Sequence, residues 1–331
     1  MRSKVLAITL GDPGGIGPEV TLKAIRHFKG RSRILLIGSL EALNQFNYKF
    51  HLGFKFQSVT FESLKRNGVL QKNSISVFDV KIPGIKKEFS VGKISAQNGL
   101  MAIESVKHGV DLCLKGIADA LVTAPLNKAA VQKVLPGFDG HTDYLKQRAK
   151  AKRVAMMFSA DKLRMTLVTM HLPLKDVSRA INKKAVIEKI ELTYAALKNL
   201  FGIKNPRIGI SALNPHGSEF GEEENGVIAP AVKACSKRIP FLSGPIPGDE
   251  IFRELWEGKW DAVIAMYHDQ GLAPFKMVAF KTGVNLTLGL PFIRTSPDHG
   301  TAFDIAHKNK ADFHPMLSAI QLAEKLANKS Q

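Results

Sequence analysis

The chain has 331 residues, 45% of them hydrophobic, two cysteines and a formal net charge of +18 at pH 7. A chain of this length buries a sizeable core without covalent staples, so a disulfide-dense scaffold is excluded, and about two domains are expected at roughly 150 residues per domain. Cys113 and Cys235 are far apart and lack metal-type spacing, which argues for a reducing cytoplasm and against cysteine-ligated zinc.

Taken in chain order, the first apolar run, Val5 to Leu10, ends at once in Gly11-Asp12-Pro13 and lacks a small-residue cleavage site, which is not the pattern of a signal peptide. No later run approaches the roughly 18 apolar residues needed to span a membrane. Further short runs are Arg33 to Gly38, Ile75 to Val80, Ala120 to Ala124, Val154 to Ser159, Arg164 to Met170, Arg207 to Ala212 and Asp261 to Tyr267. They are expected to be buried parallel strands. Helical periodicity lies between them, over Pro18 to Phe28, Ala96 to Lys115, Lys184 to Phe201, Asp249 to Trp256 and His314 to Asn328. Strands alternating with helices predict an α/β fold with right-handed crossovers.

The positive charge raises the question of nucleic acid, but Lys86-Lys87, Lys150 to Arg153, Lys183-Lys184 and Lys308 to Lys310 are short, scattered clusters without interleaved aromatics. A basic surface or a taste for small anions accounts for the charge as well, and neither a nucleic-acid nor a membrane partner is expected.

Ligands of open parallel sheets bind beyond the carboxyl ends of the strands. Three expected strands are followed by histidine there: His171, His216 after Leu213-Asn214-Pro215, and His268. Three converging neutral imidazoles suit Zn²⁺ or a similar divalent ion, with Asp269 able to fix a ring tautomer, although any one of them taken singly is as readily a loop residue. His27 and His108 fall inside predicted helices and read as solvated. The turn Gly11-Asp12-Pro13-Gly14-Gly15-Ile16-Gly17-Pro18-Glu19 sits where a phosphate cradle would, but its prolines remove amide donors, so a tight structural turn is an equal reading. Lys276, Asn285, Arg294 and the stretch Asp298 to Asp304 offer groups for a phosphorylated or carboxylated ligand, or else a solvated basic face.

The Gly11 to Glu19 turn, Gly140-His141-Thr142-Asp143, Leu213-Asn214-Pro215-His216, Met266-Tyr267-His268-Asp269-Gln270-Gly271 and Asp298-His299-Gly300-Thr301-Ala302 occur in the order found in the 4-hydroxythreonine-4-phosphate dehydrogenase family. The chain resembles that family over nearly its whole length, with Gly14 where Ala is common, Asp143 where Glu is common, and a shorter loop after His216. The resemblance implies two α/β/α domains with largely parallel sheets, similar to isocitrate and isopropylmalate dehydrogenases, with the active site in the interdomain cleft. It implies domains of 1–130 with 286–331 and of 131–285, the second bearing the metal ligands and the dimer interface. It makes His171, His216 and His268 ligands of one divalent metal (Zn, Mg or Co), His268 reaching it from the partner chain of a homodimer with a shared active site. His141, Thr142, Asp249, Lys276, Asn285 and Arg294 become substrate contacts, His141 or Lys276 the general base, and His299, Gly300, Thr301 and Asp304 contacts of NAD or NADP. The implied reaction is oxidation of 4-phosphohydroxy-L-threonine and decarboxylation to 3-amino-2-oxopropyl phosphate, in pyridoxal phosphate biosynthesis. A sister group acting on 4-phospho-D-threonate shares most of these motifs.

Overall fold

The computed structural model describes residues 3–69, 74–84 and 89–329. Lys86 and Lys87 therefore lie outside the described residues. The chain divides into two compact units, Met1–Ala151 with Leu290–Asn328, and Lys152–Gly289 with Lys329–Gln331.

Unit one contains β1 (Val5–Thr9), α1 (Gly17–His27), β2 (Arg33–Gly38), α2 (Leu40–Lys49), β3 (Phe56–Val59), α3 (Phe61–Asn67) and β4 (Ile75–Asp79). It continues through α4 (Ala96–Leu114), β5 (Ala120–Thr123), α5 (Lys128–Gln132) and α6 (His141–Arg148). Its strands run in the order β3-β4-β2-β1-β5-β12, where β12 is Ile293–Pro297, and every pairing among them is parallel. Strands covered on both faces must be apolar throughout, and β1 and β5 are buried at every position. The α4 helix lays Met101, Val106, Val110 and Cys113 into one core cluster with Val5, Ala7 and Leu121. Burying each such large side chain contributes roughly 1.5–3 kcal/mol before chain entropy is counted. The last helix, α12 (His314–Lys329), buries Met316, Ile320, Ala323 and Leu326.

The segment expected to open the second domain at 131 instead stays with unit one as far as Ala151. The reason is visible in α6, whose Leu145 joins the same core cluster and whose Arg148 forks onto Asp111 of α4 at 2.8 and 2.9 Å. The return crossing falls at 289/290, close to the expected 285/286.

Unit two holds β6 (Ala155–Ala160), β7 (Leu163–Leu167), α7 (Leu174–Ala180), α8 (Lys183–Asn199), β8 (Ile208–Ser211), α9 (Ala229–Ser236) and β9 (Leu242–Ile246). It also holds α10 (Gly248–Trp256), β10 (Ala262–Ala265), α11 (His268–Ala279) and β11 (Val284–Leu288). The strand order is β11-β6-β7-β10-β8-β9. One expectation fails here: β6 runs antiparallel to both β7 and β11. Only Asp161 and Lys162 separate β6 from β7, and Asp161 takes a left-handed φ of 49°, so the two form a hairpin where a crossover was expected. Among the described residues no helix is long and apolar enough to cross a membrane.

Candidate active site

The Gly11 to Glu19 turn is filled by protein. The Asp12 amide donates to Pro125 O at 3.0 Å, Gly14 N to Asp12 Oδ1 at 2.8 Å, Gly15 N to Asp12 O at 3.0 Å and Ile16 N to Thr301 O at 3.0 Å. With those amides engaged and Pro13 and Pro18 lacking N–H, the tight-turn reading holds and the phosphate-cradle reading falls. Glycine is needed because a Cβ at Gly11, which has a φ of 68°, would lie 2.1 Å from Pro125 O, and one at Gly15 would lie 2.9 Å from Thr301 Cβ. Asp12 is fully buried, with Oδ2 unpartnered. Burial pushes its carboxyl up to about 6, and hydrogen bonds from Gly14 and Asn98 hold it back from going higher.

The turn carries the loop after β12. Besides the Thr301 contact, His307 Nε2 lies 3.2 Å from Pro13 O, and buried Glu19 accepts the Ala311 amide at 3.0 Å and Lys23 Nζ at 2.7 Å. Lys23 also donates to Asn309 O and Ala311 O, at 3.2 and 3.3 Å. The predicted cofactor residues therefore sit on a braced loop. Gly300 is open to solvent, Thr301 is buried, Asp304 is exposed, and His299 has a buried Nε2 without a partner.

A buried arginine lies at the ends of β5 and β12. Arg294 is 2% exposed, and its Nε and Nη2 donate to Thr123 Oγ1 at 3.2 and 2.7 Å. Parallel pairing sets Arg294 beside Leu121 and Thr295 beside Val122, which carries the guanidinium to the end of β5. Burial pushes Arg294 down to about 9, so it stays charged at neutral pH. His141, first residue of α6, has a buried, unpartnered Nε2, and burial together with the Arg294 charge holds its pKa well below the ordinary imidazole value. Thr142 follows it, half-buried. Thr123 had no signal in the sequence, being one more residue of an apolar strand.

In unit two, His171 and His268 come together. Their ring centroids are 5.9 Å apart in a cavity of about 350 Å³ shared with Met170, Leu174, Tyr267 and Asp269. Strand β7 ends at Leu167, and the chain is carried on towards His171 by Val168 N, which donates to Ala265 O at 2.9 Å, and by Thr169, whose N and Oγ1 both donate to Met266 O at 3.1 and 2.8 Å. His268 opens α11, and its Nδ1 is 2.6 Å from Asp269 Oδ1, which leaves Nε2 available. Two imidazoles so disposed, one oriented by a carboxylate, supply nitrogen donors of the kind divalent ions take. His216 is exposed on its own loop with a left-handed φ of 55° and does not line that cavity. Among the described residues no three His, Cys, Asp or Glu side chains gather closely enough to hold a metal.

The remaining predicted contacts are dispersed through unit two. Asn285 on β11 keeps a buried Oδ1 without a partner, and Lys276 is half-buried on α11. Asp249 lines a different, largely apolar cavity of about 490 Å³ with Phe252, Trp256, Pro274, Phe275 and Met277. Gln270 was missed by sequence reasoning although it stands in a quoted motif: its Oε1 accepts Met266 N at 2.7 Å and its Nε2 donates to Ala212 O at 2.6 Å, latching the end of β10 to the end of β8.

Residues 31–323 match the model of the pyridoxal phosphate biosynthetic protein PdxA. The chain belongs to this family. It is 39% identical over 327 residues to a 4-hydroxythreonine-4-phosphate dehydrogenase of Desulforapulum autotrophicum, covering 96% of this chain and 94% of that one. It is 39% identical over 347 residues to a Bradyrhizobium diazoefficiens protein provisionally named D-threonate 4-phosphate dehydrogenase, covering 99% and 98%. The crystal structure of the Klebsiella pneumoniae 4-hydroxythreonine-4-phosphate dehydrogenase superposes with a TM-score of 0.88 at 34% identity, over 98% of each chain.

Proposed function

We propose that this PdxA family member oxidises 4-phosphohydroxy-L-threonine at its C3 alcohol, passing hydride to NAD⁺ or NADP⁺, and that the resulting β-keto acid loses CO₂ to leave 3-amino-2-oxopropyl phosphate, in pyridoxal phosphate biosynthesis. The observation that carries this reading is the buried Arg294 beside the unpartnered His141 Nε2. A planar guanidinium can donate two parallel N–H bonds to phosphate or carboxylate oxygens, which suits a doubly charged small substrate. Lys276 and Asn285 complete the substrate contacts, with Thr142 and Asp249.

In the oxidation, the C3–H bond breaks with its electron pair going to the nicotinamide, and the hydroxyl proton goes to a base. His141 fits the second task because burial keeps it neutral, hence able to accept a proton, at physiological pH. Lys276 is the other candidate. His299, Gly300, Thr301 and Asp304 bind the nucleotide on the braced loop. His171, His216 and His268 are the ligands proposed for one divalent ion, Zn²⁺, Mg²⁺ or Co²⁺, with Asp269 holding the His268 tautomer. Held there, such an ion would supply a Lewis acid for the oxyanion that develops at C3.

We propose a homodimer in the cytoplasm, with the ligands of each metal drawn from two chains. Exposed Trp256 on α10, Met277 and Val278 on α11 and Phe280 just beyond it provide apolar surface for a second copy. The family resemblance assigns the crossing imidazole to His268, whereas the 5.9 Å approach of His171 and His268 within one chain favours His216. Mixing inactive variants decides between them. Recovery on mixing His171→Ala with His268→Ala chains assigns the crossing to His268, and recovery only on mixing His171→Ala with His216→Ala assigns it to His216. The activity itself is tested by NADH or NADPH production on a panel that includes 4-phosphohydroxy-L-threonine, 4-phospho-D-threonate and their unphosphorylated forms. Turnover of none of the phosphorylated members would overturn the assignment.

A further inference from the structure

We propose that Lys128 and Gln132 of α5 are positioning residues that set the turn presenting His141 to the substrate. The inference rests on the reading of His141 as a substrate contact and assigns the device that aims it.

The turn between α5 and α6 has little of its own to hold it. Gly137 and Gly140 take φ of 80° and 132°, in the region that favours glycine. His141 follows at once as the first residue of α6, and no side chain caps that helix at Gly140. The two residues before Gly140 are instead gripped from one helix. Gln132 Nε2 donates to Phe138 O at 2.9 Å, and Lys128 Nζ donates to Asp139 Oδ1. Positions 128 and 132 lie one helical turn apart on a shared face, so α5 meets the turn at two consecutive residues.

α5 is only five residues long, and a helix that short has no stability alone. Its surroundings fix it. Asn127 Oδ1 accepts Ala130 N at 2.9 Å, Ala130 and Val131 are fully buried, and Val131 shares a core cluster with Phe138 and with Leu145 of α6. From the other side α4 presses against it, for a Cβ at Gly99 would lie 2.1 Å from Ala130 O. The packing makes α5 a ledge from which Lys128 and Gln132 reach out.

What the ledge supplies is placement rather than stability. The side chains of Lys128 and Asp139 are 51% and 71% exposed, and ion pairs so exposed contribute little to folding. At the far end of the turn, His141 Nε2 is buried without a partner, and the charge acting on that ring is the guanidinium of Arg294 on β12. A displacement of about 1 Å at a reacting group costs up to about a hundredfold in rate, so a weak tie next to His141 has a large effect on it. Neither Lys128 nor Gln132 touches substrate in this scheme. Both act through the main chain of 138–140.

The test follows the His141 ring directly, by NMR titration of histidine-labelled full-length protein with the His141 signal assigned from His141→Ala. It is read beside kcat/KM for 4-phosphohydroxy-L-threonine and the melting temperature. Gln132→Met and Lys128→Met remove the two ties at similar side-chain length, Lys128→Arg keeps the second, and Lys107→Met breaks an ion pair on α4 as a control. Gln132→Met should lower kcat/KM about tenfold to a hundredfold and move the His141 protonation up towards the ordinary 6.5, as the ring leaves its buried place. Lys128→Met should cause a severalfold loss and a shift of the same sign with the melting temperature unchanged, and it decides the matter should Gln132→Met not fold. Lys128→Arg and Lys107→Met should stay close to the parent in all three measurements. A lowered melting temperature with the His141 titration and kcat/KM of the parent would make the ledge merely structural and overturn the inference. A near-parental rate in His141→Ala would overturn the reading of His141 and this inference with it, whereas a loss in His141→Ala that neither tie variant shares overturns this inference alone.

Discussion

Arg294 on β12 and Thr123 at the end of β5 are joined twice, through Nε at 3.2 Å and Nη2 at 2.7 Å, onto a single hydroxyl oxygen in a buried setting. Thr123 therefore orients the fork of a buried cation, which the proposed function gives to the substrate's phosphate. Hydrogen bonds to charged groups contribute roughly 1.5–3 kcal/mol, about tenfold to a hundredfold in rate. Arg294→Lys should accordingly lower kcat/KM for the phosphorylated substrate by at least tenfold, with a smaller loss on its unphosphorylated analogue. Thr123→Val should give a smaller loss of the same kind. Equal losses on both substrates would show that Arg294 does not hold phosphate.

His141 makes a prediction about pH. A base works when unprotonated, and burial and Arg294 place its protonation well below the ordinary 6.5. If His141 is the base, the acid limb of kcat/KM should fall well below pH 6.5, so the rate is flat from pH 6.5 to 8. His141→Ala should remove that limb and most of the rate. A limb centred near 6.5 in the parent enzyme would exclude His141 from that role.

Asp12 predicts a stability effect. Its folded pKa of about 6 lies above the 3.8 of a free carboxyl, so the unfolded chain ionises first as pH rises. Its contribution to stability is therefore lost progressively between about pH 4 and 6 and stays lost above that, by about 3 kcal/mol at most. Asp12→Asn should raise the melting temperature at pH 7 relative to the parent and shrink the difference at pH 4. Denaturation curves at the two pH values check both, and an equal destabilisation at each would contradict the sign.

Glu19 bears on the nucleotide. It is fully buried and takes the Ala311 amide and Lys23, so Glu19→Ala leaves that amide without its acceptor and loosens the loop from Asp298 onward. KM for NAD⁺ or NADP⁺ should rise about tenfold, while Zn²⁺ affinity is unchanged. Fluorescence titration with reduced nucleotide measures the first, and an unaltered affinity would detach the loop from cofactor binding.

Chelation should abolish activity, and added Zn²⁺, Co²⁺ or Mg²⁺ should restore it. Single His171→Ala, His216→Ala and His268→Ala chains should each bind metal at least tenfold more weakly with the fold retained, as judged by circular dichroism. Near-normal metal content and rate in two of the three would remove the imidazole assignment.

How much of this was written in the chain follows from the range of the forces involved. The parallel strands β1, β2 and β5 were legible because burial on both faces demands a nearly unbroken apolar run, a property of four to six adjacent residues. That His171, His216 and His268 lie just beyond strands was legible because the end of such a run says where the chain must leave the sheet. The half-exposed β3 and the polar β12 were not, since Phe56-Gln57-Ser58-Val59 and Ile293-Arg294-Thr295-Ser296-Pro297 carry no apolar stripe and become strands only through their neighbours. The antiparallel turn of β6 was hidden for a related reason: strand direction is decided by which partners a strand finds. Tertiary structure alone decided that the Gly11 to Glu19 turn is filled by Pro125 and Thr301 rather than left open for phosphate, and that Glu224 reaches back to Leu213 and Asn214. A hydrogen bond needs its donor within about 3 Å of its acceptor, and only the packed chain sets distances between residues that far apart in sequence.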